Sequence, residues 1–463
     1  MADRPHIIII MPDQMRADCM SAAGHPQIQT PHLDRLAAEG VRFTEAHTVS
    51  AVCMPARASF INGLYPHNHH MWQNRGQMPA HDETVFHHLQ AAGYHTAHIG
   101  KSHYYSHAGD HLREHEDYMH ARGLDTVHET TGPWATLTTD SYMTDHWQSV
   151  GLLEAFRDDY RDRQKAKKIV VRPSPLPTEE FPDSYVGRQA VEFIDGYDRD
   201  EPMALFVGFP GPHEPWDAPG EYATMYSPAQ TPSAIAPGEA GDWLPVWVRE
   251  RARHGFVETM TAEEIAAVRA NYYGKINLID HWVGRIREAL ERRGLLDDAF
   301  IVFWSDHGEM AGDHRRLFKN IFFRSAVNVP LILRWPGRIA PGRTSRALAE
   351  IIDVFPTLLE GLGLPPSERC LGRSLWPVLE DAERAHRDAV FCEVQTQQTF
   401  GTMVRTESHK YAVGPDGLGY QLFDLAQDPE ERRNLIGHPD FCNVEAELRD
   451  RLLRFHAETQ VRL

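Results

Sequence analysis

In this 463-residue chain, apolar runs are repeatedly followed by a carboxylate, an imidazole or an amine. Asp13 and Gln14 follow the run at residues 7–11, and Lys101 and His103 follow 94–99. His213 follows 204–209, and Asp306 and His307 follow 300–304. Asp13, Asp306 and His307 brought together could bind a divalent cation. Carboxylates suit a hard ion such as Ca²⁺ or Mg²⁺, and an imidazole shifts the choice toward Mn²⁺ or Zn²⁺. Taken singly, each residue has a plainer reading. Asp13 and Asp306 serve as well to cap the following helix or turn. Lys101 and His103 are two apart in a segment that reads as extended, so both face one side; such a pair is more often a solvated loop. His213 lies in Gly211-Pro212-His213-Glu214-Pro215-Trp216, where the prolines hold the backbone, and a packed loop histidine fits equally well. Lys319, after Asp313-His314, reads alone as a surface lysine. The informative feature is convergence, because open α/β sheets bind ligands at the carboxyl ends of their strands.

Cys53 stands in Val52-Cys53-Met54-Pro55-Ala56-Arg57, where Pro55 fits the first turn of a helix. A thiol at a helix N-terminus has a lowered pKa and faces an anion-binding end. From the residues alone, a buried structural cysteine is the favoured reading, and a thiol nucleophile the alternative.

Positioning these groups takes a framework of buried strands. The bare apolar run at 7–11 fits a strand covered on both faces of a parallel sheet. Residues 31–39 read as a helix with Thr30 as N-cap and Gly40 as its stop, and 41–43 begin another strand. A helix is expected after Cys53 as far as Ile61, with others at 84–92, 184–195, 262–293 and 351–362. Strands are expected at 94–99, 204–209, 300–305 and 330–335. This alternation predicts an α/β fold, a large mainly parallel sheet sandwiched by helices. Residues 165–168 and 173–177 read as a surface excursion, and 228–241, rich in Pro, Ala and Gly, as a long loop. Beyond residue 381 the strands become short and turn-separated, at 389–394, 402–405, 410–413 and 422–425, with a closing helix at 445–455. The expected division is a large domain over 1–380 and a smaller C-terminal antiparallel-sheet subdomain over 381–463.

The formal net charge is −18. An acidic surface repels phosphate backbones and anionic lipid, so nucleic acid and membrane are poor partners. An anion site here needs local positive charge from a metal, Lys, Arg or His. The run at 7–11 is too short for a secretory core region and ends in Pro12-Asp13. No stretch approaches the roughly 20 apolar residues that span a bilayer. Cys19, Cys53, Cys370, Cys392 and Cys442 are odd in number and widely spaced, which argues against a disulfide framework or a zinc cluster. The expectation is a cytoplasmic protein.

Cys53-Met54-Pro55-Ala56-Arg57 resembles the Cys-x-Pro-x-Arg signature of type I sulfatases, and Ser59-Phe60-Ile61-Asn62-Gly63-Leu64-Tyr65-Pro66-His67 follows it as in that family. The resemblance extends to Asp13, Gly100-Lys101-Ser102-His103, Pro212-His213-Glu214-Pro215, Ser305-Asp306-His307-Gly308-Glu309, Gln421-Leu422-Phe423-Asp424-Leu425 and Asp428-Pro429. It implies that an activating enzyme oxidises Cys53 to formylglycine. Asp13, Gln14, Asp306 and His307, with residue 53, would hold one divalent ion, Ca²⁺ or Mn²⁺. Gln14 and His307 stand where many sulfatases have Asp and Asn, a pairing similar to the choline sulfatase and phosphonate monoester hydrolase branch. Arg57 would support the formylglycine, Asn74, Lys101, His213 and Lys319 would hold sulfate oxygens, and His103 would act on the aldehyde hydrate.

The implied activity is that of a sulfatase of the alkaline phosphatase superfamily, arylsulfatase-like, with a catalytic domain over 1–380. The implied partners are a small sulfate ester and the activating enzyme, with self-association left open. A phosphonate monoester hydrolase or phosphodiesterase on the same fold is the alternative, although Gly100-Lys101-Ser102-His103 favours the sulfatase. A non-catalytic binding protein with unconverted Cys53 is a third reading. Trp72, Tyr104, Tyr105, Trp134 and Trp216 lie near the site segments and would suit either stacking on a substrate or loop packing.

Overall fold

Four isoleucines in a row form the middle of the first strand because both faces of that strand are covered. Ile7, Ile8, Ile9 and Ile10 are at most 1% exposed. Ile7 and Ile9 point into one apolar cluster and Ile8 and Ile10 into another, on opposite faces of the sheet. Burying each such side chain is worth about 1.5–3 kcal/mol. The computed structural model describes residues 4–79, 82–238, 259–395 and 400–460.

The strands of the first part of the chain are β1 (His6–Asp13), β2 (Val41–Phe43), β3 (Ala46–His47), β4 (His95–Gly100) and β5 (Thr126–Glu129). They continue with β6 (Met203–Pro212), β7 (Ala299–Trp304), β8 (Leu331–Arg334), β9 (Arg343–Ser345) and β10 (Ala349–Glu350). Eight of them form one sheet in the order β5-β4-β6-β1-β7-β8-β2-β9. The pairs from β5 through β7 are all parallel. β8 runs antiparallel to both β7 and β2, so the sheet is mainly parallel but mixed. β3 and β10 pair separately.

The helices expected from sequence appear with small shifts in their bounds: Pro31–Glu39, Cys53–Asn62, Val85–Ala91, Pro182–Asp195 and Ala262–Arg292. Thr30 occupies the N-cap of the first, but its side chain does not cap the helix; its hydroxyl bonds to Ser21 and Asp34. Asp280 supplies acceptors instead, to Leu33 N at 2.8 Å and His32 N at 3.3 Å. Of the loop expected at 228–241, Pro228–Gln230 forms a 3-10 turn, and residues 239–241 lie outside the described residues.

The C-terminal part holds β11 (Ala389–Gln395), β12 (Phe400–Thr406), β13 (His409–Val413) and β14 (Gly419–Asp424), an antiparallel sheet in chain order. The helix Cys442–Glu458 follows. This sheet shares an apolar cluster with the main body, where Cys392, Val394, Met403 and Phe423 join Ala51, Val52, Met310 and Phe322. Its placement brings β11 against the segment that precedes Cys53: Ser50 Oγ donates to Glu393 O at 2.8 Å.

Candidate active site

The carboxyl ends of β1, β4, β5, β6 and β7 gather the chemistry-bearing residues on one edge of the sheet. Asp13 is the last residue of β1, and Lys101 follows β4. Glu129 ends β5, His213 follows β6, and Asp306 and His307 lie just beyond β7. Lys101 depends on a close approach of two backbones. A Cβ at Gly100, which has φ +101°, would meet Gly208 O at 2.2 Å. A Cβ at Gly208 would meet Lys101 O at 2.3 Å. Only glycine allows β4 and β6 to lie this tightly and carry Lys101 into the edge.

Cys53 is the first residue of a ten-residue helix, every residue of which is buried. Phe60, on its inner face, stacks on Trp304 of β7 with ring centroids 3.9 Å apart. The helix therefore sits rigidly on the sheet with its N-terminus at the gathered strand ends. Asn74, an exposed residue, accepts from Met54 N at 3.0 Å and so caps this N-terminus beside Cys53.

Asp13, Cys53, Asp306 and His307 offer ligand atoms that all lie within 4.8 Å of one another, and all four are buried. Cys53 Sγ is 3.0 Å from His307 Nε2 and 3.9 Å from Asp13 Oδ1. His307 Nδ1 faces Gly308 O at 3.0 Å, and donation to that carbonyl leaves Nε2 free to act as a ligand. Arg57 braces the carboxylates. Its Nε donates to Asp306 Oδ2 at 2.8 Å, its Nη1 to Lys101 O at 2.7 Å, and its Nη2 lies 3.1 Å from Asp13 Oδ2. Lys101 Nζ also pairs with Asp13.

The electrostatics of the cluster suit a cation flanked by an anion site. Burial works against charge on His307, yet Asp306 and Cys53 push its pKa up to about 9, so the pocket favours positive charge at that point. Burial would raise the Cys53 thiol, but Lys319, His307 and Lys101 outweigh it and hold the thiol well below its usual value. Two carboxylates and an imidazole around a buried point fit a divalent ion.

Lys319 and His213 meet at the rim. Lys319 Nζ donates to His213 Nε2 at 2.7 Å, and His213 Nδ1 donates to Glu214 O at 2.7 Å. Although the sequence read Lys319 alone as a surface lysine, it is half-buried, and Cys53 and Glu214 raise its pKa against the effect of burial. Gln14 has φ 71°. Its N–H donates to Asp306 Oδ1 at 2.9 Å, and its side-chain amide turns to Glu214, Glu309 and Lys319.

The extended geometry expected for Lys101 and His103 is not observed. His103 has φ 58°, a left-handed turn that reorients the chain after Lys101, and its N–H points to Glu129 Oε1 at 3.4 Å. His103 still reaches the Cys53 thiol. Burial first and Lys101 second hold its pKa down to about 3, so it is neutral beside the thiol. Its Nδ1 has no hydrogen-bond partner.

Three carboxylates went unassigned from the sequence. Glu129 binds Ser102 and receives His107 Nε2 at 2.9 Å, beneath His103. No strand was legible at 126–129, so the sequence carried no signal for it. Glu309 accepts from Ala311 N at 2.8 Å and Phe318 N at 2.6 Å, fixing the loop that carries Lys319. Burial, then Glu214, pushes its pKa up to about 7. Glu214 lies 2.8 Å from the Gln14 amide nitrogen. Glu214 and Glu309 are part of quoted motifs, but nothing in their spacing revealed their partners.

The family model described as Sulfatase matches residues 5–364, which covers every residue placed in the site above. The chain belongs to the sulfatase family. A second model, described as N-sulphoglucosamine sulphohydrolase, C-terminal, matches residues 312–458 of this sulfatase-family chain. An arylsulfatase of Clostridium perfringens is 29% identical, with 95% of this chain and 91% of the relative covered. A choline-sulfatase of Rhizobium meliloti is 30% identical, with 94% and 83% covered. The solved structure of a phosphonate monoester hydrolase of Agrobacterium radiobacter is 27% identical, with a TM-score of 0.80 over 99% of this chain and 96% of that one. These likenesses agree with the fold and the branch expected from the motifs.

Proposed function

We propose that the protein hydrolyses sulfate esters with a formylglycine made from Cys53 and one divalent ion. The carrying observation is the setting of Cys53 at a buried helix N-terminus, with His307 Nε2 3.0 Å from its sulfur. Asp13, Asp306 and His307, with residue 53, would hold the ion, Ca²⁺ or Mn²⁺, and Gln14 stands beside them as a further donor. When bound, the ion supplies Lewis acidity, and the hydrated aldehyde supplies one hydroxyl to attack sulfur and a second whose deprotonation expels sulfate.

The chain's own residues then divide the work. Lys101 and Lys319 set positive charge against the sulfuryl oxygens, where charge builds in the transition state, and His213, which accepts from Lys319, holds that amine in place beside them. Asn74, at the rim, orders the helix N-terminus and adds an amide toward the anion. Arg57 bridges Asp13 and Asp306 and fixes their orientation. His103, neutral beside residue 53, accepts the proton released as sulfate departs. The activating enzyme is the partner this reading requires. Cytoplasmic residence is part of the same proposal and rests on the cysteine usage; all five cysteines are unpaired.

Phosphonate monoester or phosphodiester hydrolysis is the second reading. It is favoured by Gln14 and His307 at the ion and by the likeness to the Agrobacterium radiobacter hydrolase. Comparing p-nitrophenyl sulfate with p-nitrophenyl phenylphosphonate separates the two. A larger kcat/KM on the sulfate is expected, and a much larger value on the phosphonate would reverse the order. Mass spectrometry of the peptide bearing residues 53–57 checks conversion: formylglycine loses the sulfur and gives a carbonyl that reacts with hydrazides. Unconverted cysteine in fully active protein would refute the nucleophile.

A further inference from the structure

A second group of metal-competent side chains shares no residue with the active site. His67 comes from the short helix Pro66–His69, Glu393 from β11 and His456 from the helix Cys442–Glu458. One ligand atom from each lies within 4.8 Å of the other two. We propose that His67, Glu393 and His456 form a second cation site, built for a borderline divalent ion such as zinc, that fastens the C-terminal helix to the body of the protein.

The two imidazoles address the two oxygens of one carboxylate. His67 Nδ1 is 2.9 Å from Glu393 Oε2, and His456 Nδ1 is 3.8 Å from Glu393 Oε1. The rings are 5.3 Å apart, inclined at 67°. Glu393 is 1% exposed, yet its Oε1 has no hydrogen-bond partner. Leaving a buried carboxylate oxygen unsatisfied is costly, and 3.8 Å is too long for a hydrogen bond to His456. A cation between these groups satisfies that oxygen.

The outer nitrogens are already arranged for ligation. His67 Nε2 meets Thr459 Oγ1 at 3.0 Å, and His456 Nε2 meets Thr402 Oγ1 at 3.4 Å. Such contacts fix ring orientation and leave each Nδ1 facing inward. The backbone N–H of His67 also points to Glu393 Oε2, at 3.2 Å. Two imidazoles and one carboxylate are a zinc donor set, with metal–ligand bonds of about 2.0–2.2 Å. Reaching those bonds requires modest side-chain movement, chiefly of His456, whose side chain is 38% exposed. The exposed side leaves room for water as a fourth ligand. The ion would tie the last turns of the C-terminal helix to β11 and to the segment that follows the Cys53 helix.

Zinc content and thermal stability test this directly. Wild type, His456→Gln and His67→Gln, each saturated with Mn²⁺, are dialysed against micromolar Zn²⁺ and analysed by mass spectrometry of the elements. Wild type should hold one more zinc per chain than either variant. Zinc should raise the wild-type Tm by several degrees and leave the Tm of His456→Gln unchanged. Turnover of His456→Gln on an aryl sulfate should match wild type, which shows that the variant folds. Equal zinc content in wild type and both variants, or a Tm that responds equally, overturns the site. Loss of Cys53 chemistry alone bears on the proposed activity and leaves this test intact.

Discussion

At the carboxyl edge of the large sheet, Asp13, Cys53, Asp306 and His307 are all buried and are ringed by Arg57, Lys101 and Lys319. At the C-terminal helix, Glu393 alone is buried, its two histidines keep part of their surface in solvent, and the outer contacts shown are threonine hydroxyls. The first cluster draws its members from strand ends and a buried helix start, which cannot shift independently. The second draws them from a short helix, a strand of the small sheet and the end of a terminal helix. Cations packed around an ion prepare a place for an anion to react. Hydroxyls around an ion only orient ligands, which suits a fastening. On the two proposals, a similar donor list would serve two purposes, decided by what stands behind it.

Mutation can break this contrast at its strongest point. Cys53→Ala should reduce turnover to background while circular dichroism stays unchanged, because the helix is held by Phe60 and its neighbours rather than by the thiol. Activity near wild type would place the nucleophile elsewhere. Cys53→Ser should undergo a single sulfation and stop, visible as a mass adduct, and sustained turnover by it would contradict release through a second hydroxyl.

Asp306→Ala should lose the catalytic ion and remove one of the two carboxylates that pair with the buried Arg57 guanidinium. Breaking such a pair costs about 3–5 kcal/mol, measurable by denaturant unfolding alongside elemental analysis. Undiminished ion content would remove Asp306 from the site.

The flanking residues should differ in kind. Lys101→Ala should lower kcat/KM by about 10²–10³, as for loss of one oxyanion donor, and show no burst of phenol from an aryl sulfate. His103→Ala should show a burst, then slow turnover and a covalent adduct. Absence of both burst and adduct would move His103 to binding or to the leaving group.

The smallest effect is expected at Glu129, which acts through its neighbours. Glu129→Gln should cost about 1–3 kcal/mol in stability by weakening a buried charged network. It should slow turnover less than Lys101→Ala does. A larger effect on turnover than on stability would make Glu129 a direct participant.

Legibility of the fold followed burial. β1, β4, β6 and β7 are flanked by strands on both sides within the sheet and read as apolar runs, and the residues beyond them were legible for the same reason. β5 lies at the edge of the sheet, and Thr126, Val127 and His128 are only half-buried, so no apolar run announced it and Glu129 was passed over. β8 was legible as a strand but not in its direction, because an apolar run carries no sign of which way its neighbours point. Lys319 was legible through the resemblance and not from its own surroundings, because its place is set by a loop with positive φ at Phe318 and Asn320 and by Glu309 holding Phe318 N. The cluster of His67, Glu393 and His456 was not legible at all: Glu393 lies 326 positions from His67, and no local pattern links them.

The central position of β1 has a consequence for the making of the protein. Ile7 pairs with Ala204 on one side and with Phe300 on the other. β1 leaves the ribosome before either partner and therefore waits for roughly the next two thirds of the chain before both its edges are closed. At about 5–20 residues per second the wait is on the order of tens of seconds, a cost of pairings so remote in sequence. Cys53 ends 1% exposed once the sheet has formed. Under the proposed conversion of Cys53, the interval before closure is when a modifying enzyme would reach residue 53, and assembly of the sheet would end that access.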